Sequence, residues 1–387
     1  MRAWLARHGR AGPWAAWLWA ALCVLGLRLA LGLVLAGAWW VLRPYLPIGA
    51  GSVWQQAALD MWVRWDAVHY LTLADVGYAG VSVGDTVFYP LYPALVGAAA
   101  KLLPVTAAGL LVSTGAAVAA LAGVHVLAER HYGPAAGRWA ATALAVYPTA
   151  LFLVAPFTEA LFLALTVWAF VLAERERWPA AGALAGLAAL TRGPGLLTVP
   201  ALAWLAVTQW RAAGGKAALA VRAGLGLALA AGGGLAFLVY RQAQGWPPMG
   251  VVLRAYSGVE LLNPVRGVSY AVAQVLRVPD LPTVLDMASA IVFGGLLLVM
   301  ARQTRWRNGA WLVYFGLNLL FDLSKHSLTA AAWQSLARYV LVLFPAFIAA
   351  GDWLARQTRR VRFAYLTFSS AGLLGLSALY ALWFFVG

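Results

Sequence analysis

Side chains that could move a proton lie close together in the segment from Asp60 to Tyr70, Asp-Met-Trp-Val-Arg-Trp-Asp-Ala-Val-His-Tyr. On a helix, residues three or four apart share a face, so Asp66 falls beside His69 and Tyr70. Arg64 pairs with Asp60 on another face. A carboxylate and an imidazole on one aromatic-lined face are suited to acid–base chemistry. The alternative is a solvated loop helix with ordinary surface charges.

Other ionisable residues stand out because they interrupt or border apolar runs. Glu159 follows Pro156 at the start of such a run, where a helix dipole favours a carboxylate, so it could be only a helix cap. Arg192 and Arg338 could be interfacial anchors whose side chains extend to lipid headgroups. Arg28 lies in mid-span and must face the protein interior or pair with another group.

The composition predicts a membrane protein. Of the 387 residues, 63% are hydrophobic and 11% are charged, far fewer charges than in a soluble domain. Residues 139–158, 223–240 and 363–387 contain no charged side chain, and each run is long enough to cross a bilayer. Such continuous runs also argue against a β-barrel, which would show short alternating segments. The net charge of +15 is spread over short loops, which argues against nucleic-acid binding.

The charge distribution predicts a topology. Six short segments hold 17 of the 28 Lys and Arg residues but only four of the 13 acidic ones. They are 1–13, 129–138, 174–178, 211–222, 302–307 and 352–362. The positive-inside rule then puts these segments and the N-terminus in the cytoplasm. The single cysteine, Cys23, lies inside the first span, which excludes an intrachain disulfide. Eleven spans are expected, at about 13–41, 106–128, 138–155, 159–173, 179–191, 195–210, 222–240, 282–301, 308–322, 338–355 and 363–386.

The same topology predicts an all-α integral membrane protein consisting of one polytopic domain, residues 1–387. Its two long outer loops are 43–105 and 241–281. Pro90, Pro93, Lys101 and Pro104 break up the apolar stretch in the first loop, so 89–103 is expected to form a helix on the outer surface. The second loop should contain another interfacial helix.

Several motifs together resemble a known family. They are Trp65-Asp66-Ala67-Val68-His69-Tyr70, Gly77-Tyr78, Phe88-Tyr89-Pro90-Leu91-Tyr92-Pro93, Thr158-Glu159-Ala160-Leu161-Phe162, Thr191-Arg192, Arg338-Tyr339 and Phe344-Pro345. In this order they resemble the GPI mannosyltransferase II (PIG-V-like) family and its bacterial relatives, which belong to the GT-C group of membrane glycosyltransferases. This chain has Arg192-Gly193-Pro194-Gly195 where that family usually has Arg, then Ser or Asn, then Gly.

The resemblance implies an inverting glycosyltransferase, with mannose as the expected sugar, that uses a polyprenyl-phosphate sugar donor. It puts the reactive aspartate at Asp66, which could take the acceptor proton, while cations hold the phosphate leaving group. The expected substrate-binding residues are Arg64, His69, Tyr70, Glu159, Arg192, Lys325, His326, Arg338 and Tyr339. His69 could instead orient Asp66 or be only an interfacial ring.

The implied partners are membrane lipids, the donor lipid and a glycolipid or glycan acceptor, without nucleic acid. No cofactor or nucleotide is needed, and a divalent metal stays an open alternative. The short basic loops favour the bacterial plasma membrane, with the active site on its outer face. The competing function is a transporter or lipid flippase, although transporters place ionisable residues near the midplane and often have two related halves. A purely structural membrane subunit is a third possibility.

Overall fold

The structure is a computed structural model that describes residues 13–43, 58–304, 308–327 and 333–386. The arginines of the predicted cytoplasmic N-terminus and residues 44–57 of the predicted first loop lie outside these ranges. The helices are α1 (Pro13–Leu42), α2 (Asp66–Val76), α3 (Leu91–Ala100), α4 (Val105–Tyr132), α5 (Pro134–Ala145), α6 (Glu159–Ala173), α7 (Trp178–Ala189), α8 (Thr198–Ala212), α9 (Ala217–Ala243), α10 (Met249–Ser257), α11 (Pro264–Arg277), α12 (Leu281–Thr304), α13 (Gly309–Leu323), α14 (Leu336–Tyr339), α15 (Phe344–Ala355) and α16 (Arg359–Ala381).

The chain is an integral membrane protein of packed helices. Within the described residues, five helices are long and apolar enough to cross a bilayer, namely α1, α4, α9, α12 and α16. The bent pair formed by Leu336–Val342 and α15 would make a sixth span. Helices α3, α6, α7 and α13 are apolar but shorter. The expected total of eleven spans therefore stays a prediction.

Prolines explain why several predicted spans are interrupted. The helix expected at 138–155 ends at Ala145, before Pro148, and is followed by a 3₁₀ turn at Ala150–Leu153. The residue before a proline disfavours helical geometry, so the helix stops there. The span expected at 338–355 bends by 75° before α15, where Pro345 lacks the N–H that a continuous helix needs.

Helices α7 and α9 pack backbone to backbone. A Cβ added at Gly226 would overlap the carbonyl of Trp178, and one added at Gly233 would overlap the carbonyl of Gly186. Small residues allow this approach, which is a common way of joining helices in lipid, where there is no hydrophobic force between them.

The segment between α1 and α4 folds against the bundle. It contains 3₁₀ turns at Asp60–Trp62, Tyr78–Gly80 and Val83–Val87 as well as α2 and α3. It also touches the segment predicted as the second loop, because the Tyr78 and Trp246 rings lie 5.1 Å apart. Helices α10 and α11 occupy that second segment.

A two-stranded antiparallel ribbon joins distant parts of the chain. Strand β1 (Val259–Leu261) pairs with β2 (Lys325–Ser327), and Glu260 lies opposite His326. Strands of three residues are too short to show an alternating pattern, so the sequence does not predict them.

Side chains of α1 and α16 contact the turn that precedes Asp66. The Arg28 guanidinium donates to the Thr114 hydroxyl and to the Leu110 carbonyl, at 2.6 and 2.9 Å, and it lies 4.6 Å from the centre of the Trp62 ring. The Tyr380 hydroxyl, near the end of α16, donates to the Trp62 carbonyl at 2.8 Å. The turn before Asp66 is thus fixed by both α1 and α16.

Candidate functional site

Asp66 is the first residue of α2, and the backbone before it is strained. Trp65 has φ of +52°, a left-handed value that side chains larger than glycine seldom adopt. Its ring is held by edge contacts with Trp383 and Phe385, at 5.9 and 5.2 Å between ring centres. Strain of this kind costs about 1–3 kcal/mol and persists only where packing enforces it. The packing therefore determines where the Asp66 carboxylate lies.

Four ionisable residues form a network, called here the central cluster: Asp66, Glu159, Arg192 and Arg338. Arg338 Nη2 lies 2.9 Å from Asp66 Oδ2, and its Nε lies 3.2 Å from Glu159 Oε1. Arg192 Nη1 pairs with the same Glu159 oxygen. Residues far apart in sequence thus meet at one place, where one Glu159 oxygen joins the two arginines and Arg338 joins them to Asp66.

Exposure differs strongly within the central cluster. About a third of the Asp66 side chain, 34%, is accessible, against 1% for Glu159 and 5% for Arg338. Buried charges are costly unless they are paired, and here two acids balance two guanidinium groups. Asp66 is consequently the member that a substrate can reach most readily.

Interrupted helices bring these residues together. Glu159 begins α6, directly after the 3₁₀ turn and Pro156. Arg192 follows α7, at the break before the Gly193–Leu197 turn. Arg338 lies on α14, which is a single helical turn. Each break ends a helix inside the protein, so charged side chains at the breaks converge instead of facing lipid.

Hydroxyl groups, an aromatic ring and a further ion pair surround the central cluster. The Thr158 hydroxyl accepts from Arg192 Nη1 at 3.3 Å and lies 3.3 Å from the Tyr70 hydroxyl. The Tyr339 ring lies near three cations, 4.8 Å from Arg192, 4.9 Å from Arg338 and 3.8 Å from Lys325. Lys325 Nζ also pairs with Asp322 at 2.7 Å. Tyr70, Lys325 and Tyr339 therefore border the central cluster, and their expected roles in substrate binding stay predictions.

Three other predicted residues make different contacts. His69 pairs with Asp85 at 2.5 Å. Arg64 is buried and donates to the Asp60 and Val63 carbonyls at 2.8 and 2.9 Å. The pKa of Arg64 is lowered by burial, against the opposing effects of Tyr380 and Asp60. His326 stacks on Tyr270 with ring centres 4.7 Å apart. The substrate-binding roles of all three stay predictions.

Two residues that support Arg338 are missed by sequence reasoning. The Asp286 carboxylate, which is 1% exposed, accepts from the Ala337 backbone N–H at 2.9 Å. The Thr149 hydroxyl donates to the Ala337 carbonyl at 2.8 Å. The one available signal is Asp286 itself, an acid within an apolar span, which is expensive unless it has a partner.

In this arrangement Asp66 can accept a proton, and the two guanidinium groups can bind an anion through their N–H donors. Each guanidinium carries five such donors, so pairing with a carboxylate leaves others available. No group of three or more His, Cys, Asp and Glu side chains suited to a metal ion occurs in the described part of the chain.

Comparison with known proteins gives a limited result. No known family profile matches the chain, and no curated protein matches it. The resemblance to the GPI mannosyltransferase II family is thus not confirmed. Among solved structures, the chain is similar to the oligosaccharyltransferase of Archaeoglobus fulgidus in its apo form, with 14% identity and a TM-score of 0.46 over 96% of this chain.

The same archaeal protein tethered to an acceptor peptide gives 13% identity and a TM-score of 0.48 over 98% of this chain. Its complex with an inhibitory peptide and a dolichol-phosphate, where it is named AglB, gives 12% and 0.44, again over 98%. This chain spans about 55–56% of the length of these proteins. A likeness at this level says nothing about what this chain binds or transfers.

Proposed function

We propose that the chain is an inverting glycosyltransferase of the GT-C group that moves a sugar, mannose by expectation, from a polyprenyl phosphate to an acceptor hydroxyl. One observation carries the proposal: an accessible carboxylate, Asp66, is bound to a buried guanidinium, Arg338, at 2.9 Å. The proposal places a proton acceptor and a phosphate-binding cation in direct contact. The expected setting is the outer face of a bacterial plasma membrane.

The transfer is a single displacement. The acceptor oxygen attacks C1 of the sugar, its proton passes to Asp66, and the bond between C1 and the phosphate oxygen breaks. The polyprenyl phosphate leaves with the electron pair of that bond. General-base help of this kind contributes roughly 10²–10⁴-fold. The proposed step needs no nucleotide.

Positive charge for the leaving phosphate is supplied by Arg338, Arg192 and Lys325. Arginine can hold a phosphate with two parallel hydrogen bonds, and such charge-assisted bonds are the stronger kind. The Tyr339 ring lies beside all three cations, so one aromatic ring attracts all of them. Glu159 holds both guanidinium groups and so sets their separation.

Glu159 also has an acceptor to offer to the sugar. Its Oε2 atom is buried and has no hydrogen-bond partner among the described residues. Buried oxygens of this kind are normally satisfied. In the proposal this oxygen accepts a hydrogen bond from a sugar hydroxyl when the donor is bound, which would favour donors with a hydroxyl at that position.

The decisive experiment uses purified protein in lipid vesicles with polyprenyl-phosphate [³H]mannose and a panel of glycolipid and glycan acceptors. The expected result is radiolabel joined to an acceptor by a new glycosidic bond, and no such product from the Asp66→Asn variant. Movement of intact donor lipid between leaflets, without a new bond, would support a flippase and overturn the proposal.

A further inference from the structure

A second pair of proton-binding groups lies beside the central cluster. His69 Nδ1 is 2.5 Å from Asp85 Oδ1, and half of the His69 side chain is exposed, against 14% of Asp85. Neither side chain takes part in the transfer described above. A histidine oriented by a carboxylate is a common arrangement for moving protons.

Both members of the pair are held in place. The other Asp85 oxygen accepts from the Ser82 hydroxyl at 2.8 Å and from the Ser82 backbone N–H at 3.2 Å. The His69 ring stacks on Phe88, with 5.0 Å between ring centres and 16° between planes. With Nδ1–H donating to the carboxylate, Nε2 is the nitrogen that can accept a proton.

The pair is next to the proposed base. Asp66 and His69 are three residues apart on α2, so their side chains project from the same face, one turn apart. Phe88, which supports His69, also contacts the Tyr70 ring with 5.0 Å between centres. The charged groups closest to His69 on its own helix and on the packed turn are thus Asp66 and Asp85.

Asp66 needs a route for its proton. After each transfer it is protonated, and it must become an anion again before it can bind Arg338 and accept another proton. In the proposed mechanism the glycosylated acceptor still lies against Asp66 at this point, and it limits direct exchange of the proton with bulk water, to which a third of the free side chain is open. A neighbouring base that is itself half exposed provides an alternative route.

We propose that His69 Nε2 receives the proton from Asp66 and releases it to bulk water, with Asp85 as a positioning residue. The Asp66 O–H bond breaks as the Nε2–H bond forms, and the resulting imidazolium faces the Asp85 carboxylate until the proton leaves. This inference rests on the proposed function, since it concerns the proton of the same transfer.

The test compares His69→Ala, His69→Gln and Asp85→Asn in the vesicle assay with polyprenyl-phosphate mannose. For His69→Ala, kcat should fall about tenfold or more, with KM for the donor little changed, because the relay gives His69 a role after transfer and none in donor binding. Added free imidazole should restore the rate of His69→Ala but not that of His69→Gln, whose side chain fills the space. Asp85→Asn should be intermediate.

His131→Ala is the matched control. His131 also pairs with a carboxylate, Glu174, at 3.0 Å, but it lies on α4 away from α2, so its variant should keep the wild-type rate. A second readout is the ¹⁵N spectrum of His69, which should report Nδ1–H in the wild type.

The outcomes separate the two ideas. Transfer by the wild type together with a wild-type rate in His69→Ala, or a loss that imidazole does not restore, would overturn the relay and leave the proposed function standing. An Nε2–H tautomer in the wild type would also overturn it. Absence of sugar transfer by the wild type itself would remove both proposals.

Discussion

The four charged residues of the central cluster differ in burial, and this difference suits them to different roles. Arg338 and Glu159 are almost fully buried, whereas Asp66 is a third exposed. A buried ion pair broken on one side typically costs about 3–5 kcal/mol. Glu159 is therefore expected to stabilise the folded protein whatever its chemical role, whereas the Asp66 carboxylate is accessible to a substrate.

Asp66→Asn should lower the transfer rate by roughly a hundredfold or more, because asparagine keeps the size of the side chain but cannot accept the proton. The protein should still fold and bind donor, since Arg338 keeps its contact with Glu159. Initial rates with polyprenyl-phosphate mannose, alongside membrane expression and donor binding, measure these effects.

Glu159→Gln provides the contrast. It should lower the melting temperature in detergent as well as activity, because two buried guanidinium groups lose their shared carboxylate. A fully active Asp66→Asn enzyme combined with an inactive but stable Glu159→Gln enzyme would identify Glu159 as the base instead.

The residue types at the site could be predicted, whereas their partners could not. Asp66, Glu159, Arg192 and Arg338 stand out in sequence because they occur in motifs or border apolar runs. The contacts of Asp286 with Ala337, and of His69 with Asp85, join residues on separate elements. Nothing in local spacing encodes such pairings, since they depend on how the helices pack.

At the level of elements, short helices do more to build the site than long ones. Helix α14 is one turn long, too short to be stable by itself, and it carries both Arg338 and Tyr339. Both backbone groups of Ala337 on this helix are hydrogen-bonded to other elements, the N–H to Asp286 and the carbonyl to Thr149.

Asp286→Leu should therefore reduce transfer, because the Ala337 N–H loses its acceptor at a cost of about 1–3 kcal/mol and α14 can shift. Asp286→Asn retains an oxygen that can accept this bond and should keep most of the activity. Equal activities for the two variants, at equal expression, would show that Asp286 does not position Arg338.

The close packing of α7 and α9 gives a stability prediction. Gly226→Ile should push the helices apart, since its side chain would meet the Trp178 carbonyl, and overpacking typically costs about 1–3 kcal/mol or more. Gly224→Ile is the control on the same helix, because no atom lies within 4 Å of a Cβ there. In thermal unfolding measurements in detergent, the melting temperature should fall for Gly226→Ile and stay at the wild-type value for Gly224→Ile.

For the whole molecule, run length identified the long helices but not the broken ones. Helices α1, α4, α9, α12 and α16 lie close to expected spans, because an uncharged run of about twenty apolar residues matches the thickness of a bilayer. The expected spans near 138–155 and 338–355 are interrupted instead. A proline lowers the tendency to form a helix, but sequence alone does not say whether tertiary contacts tolerate the break.

Orientation is a prediction that labelling can check. After Cys23 is replaced, single cysteines at Ser82 and Trp246 should react with an impermeant thiol reagent added outside intact cells, and one at Gln303 should react only after lysis. The expectation follows from the excess of basic residues in the segments assigned to the cytoplasm. Labelling of the Gln303 position from outside would reverse the topology and move the candidate site to the cytoplasmic face.

The contact between the turn at Asp60–Trp62 and the end of α16 has a consequence for biosynthesis. The Trp62 carbonyl accepts its bond from Tyr380, and Trp65 packs on Trp383 and Phe385. When the ribosome has just made Asp66, none of these partners yet exists. The contacts that hold this strained backbone are therefore complete only after α16 and the residues that follow it, up to Phe385, have been made. Under the proposed function, a partly synthesised chain should therefore lack transfer activity until this last described helix has been added.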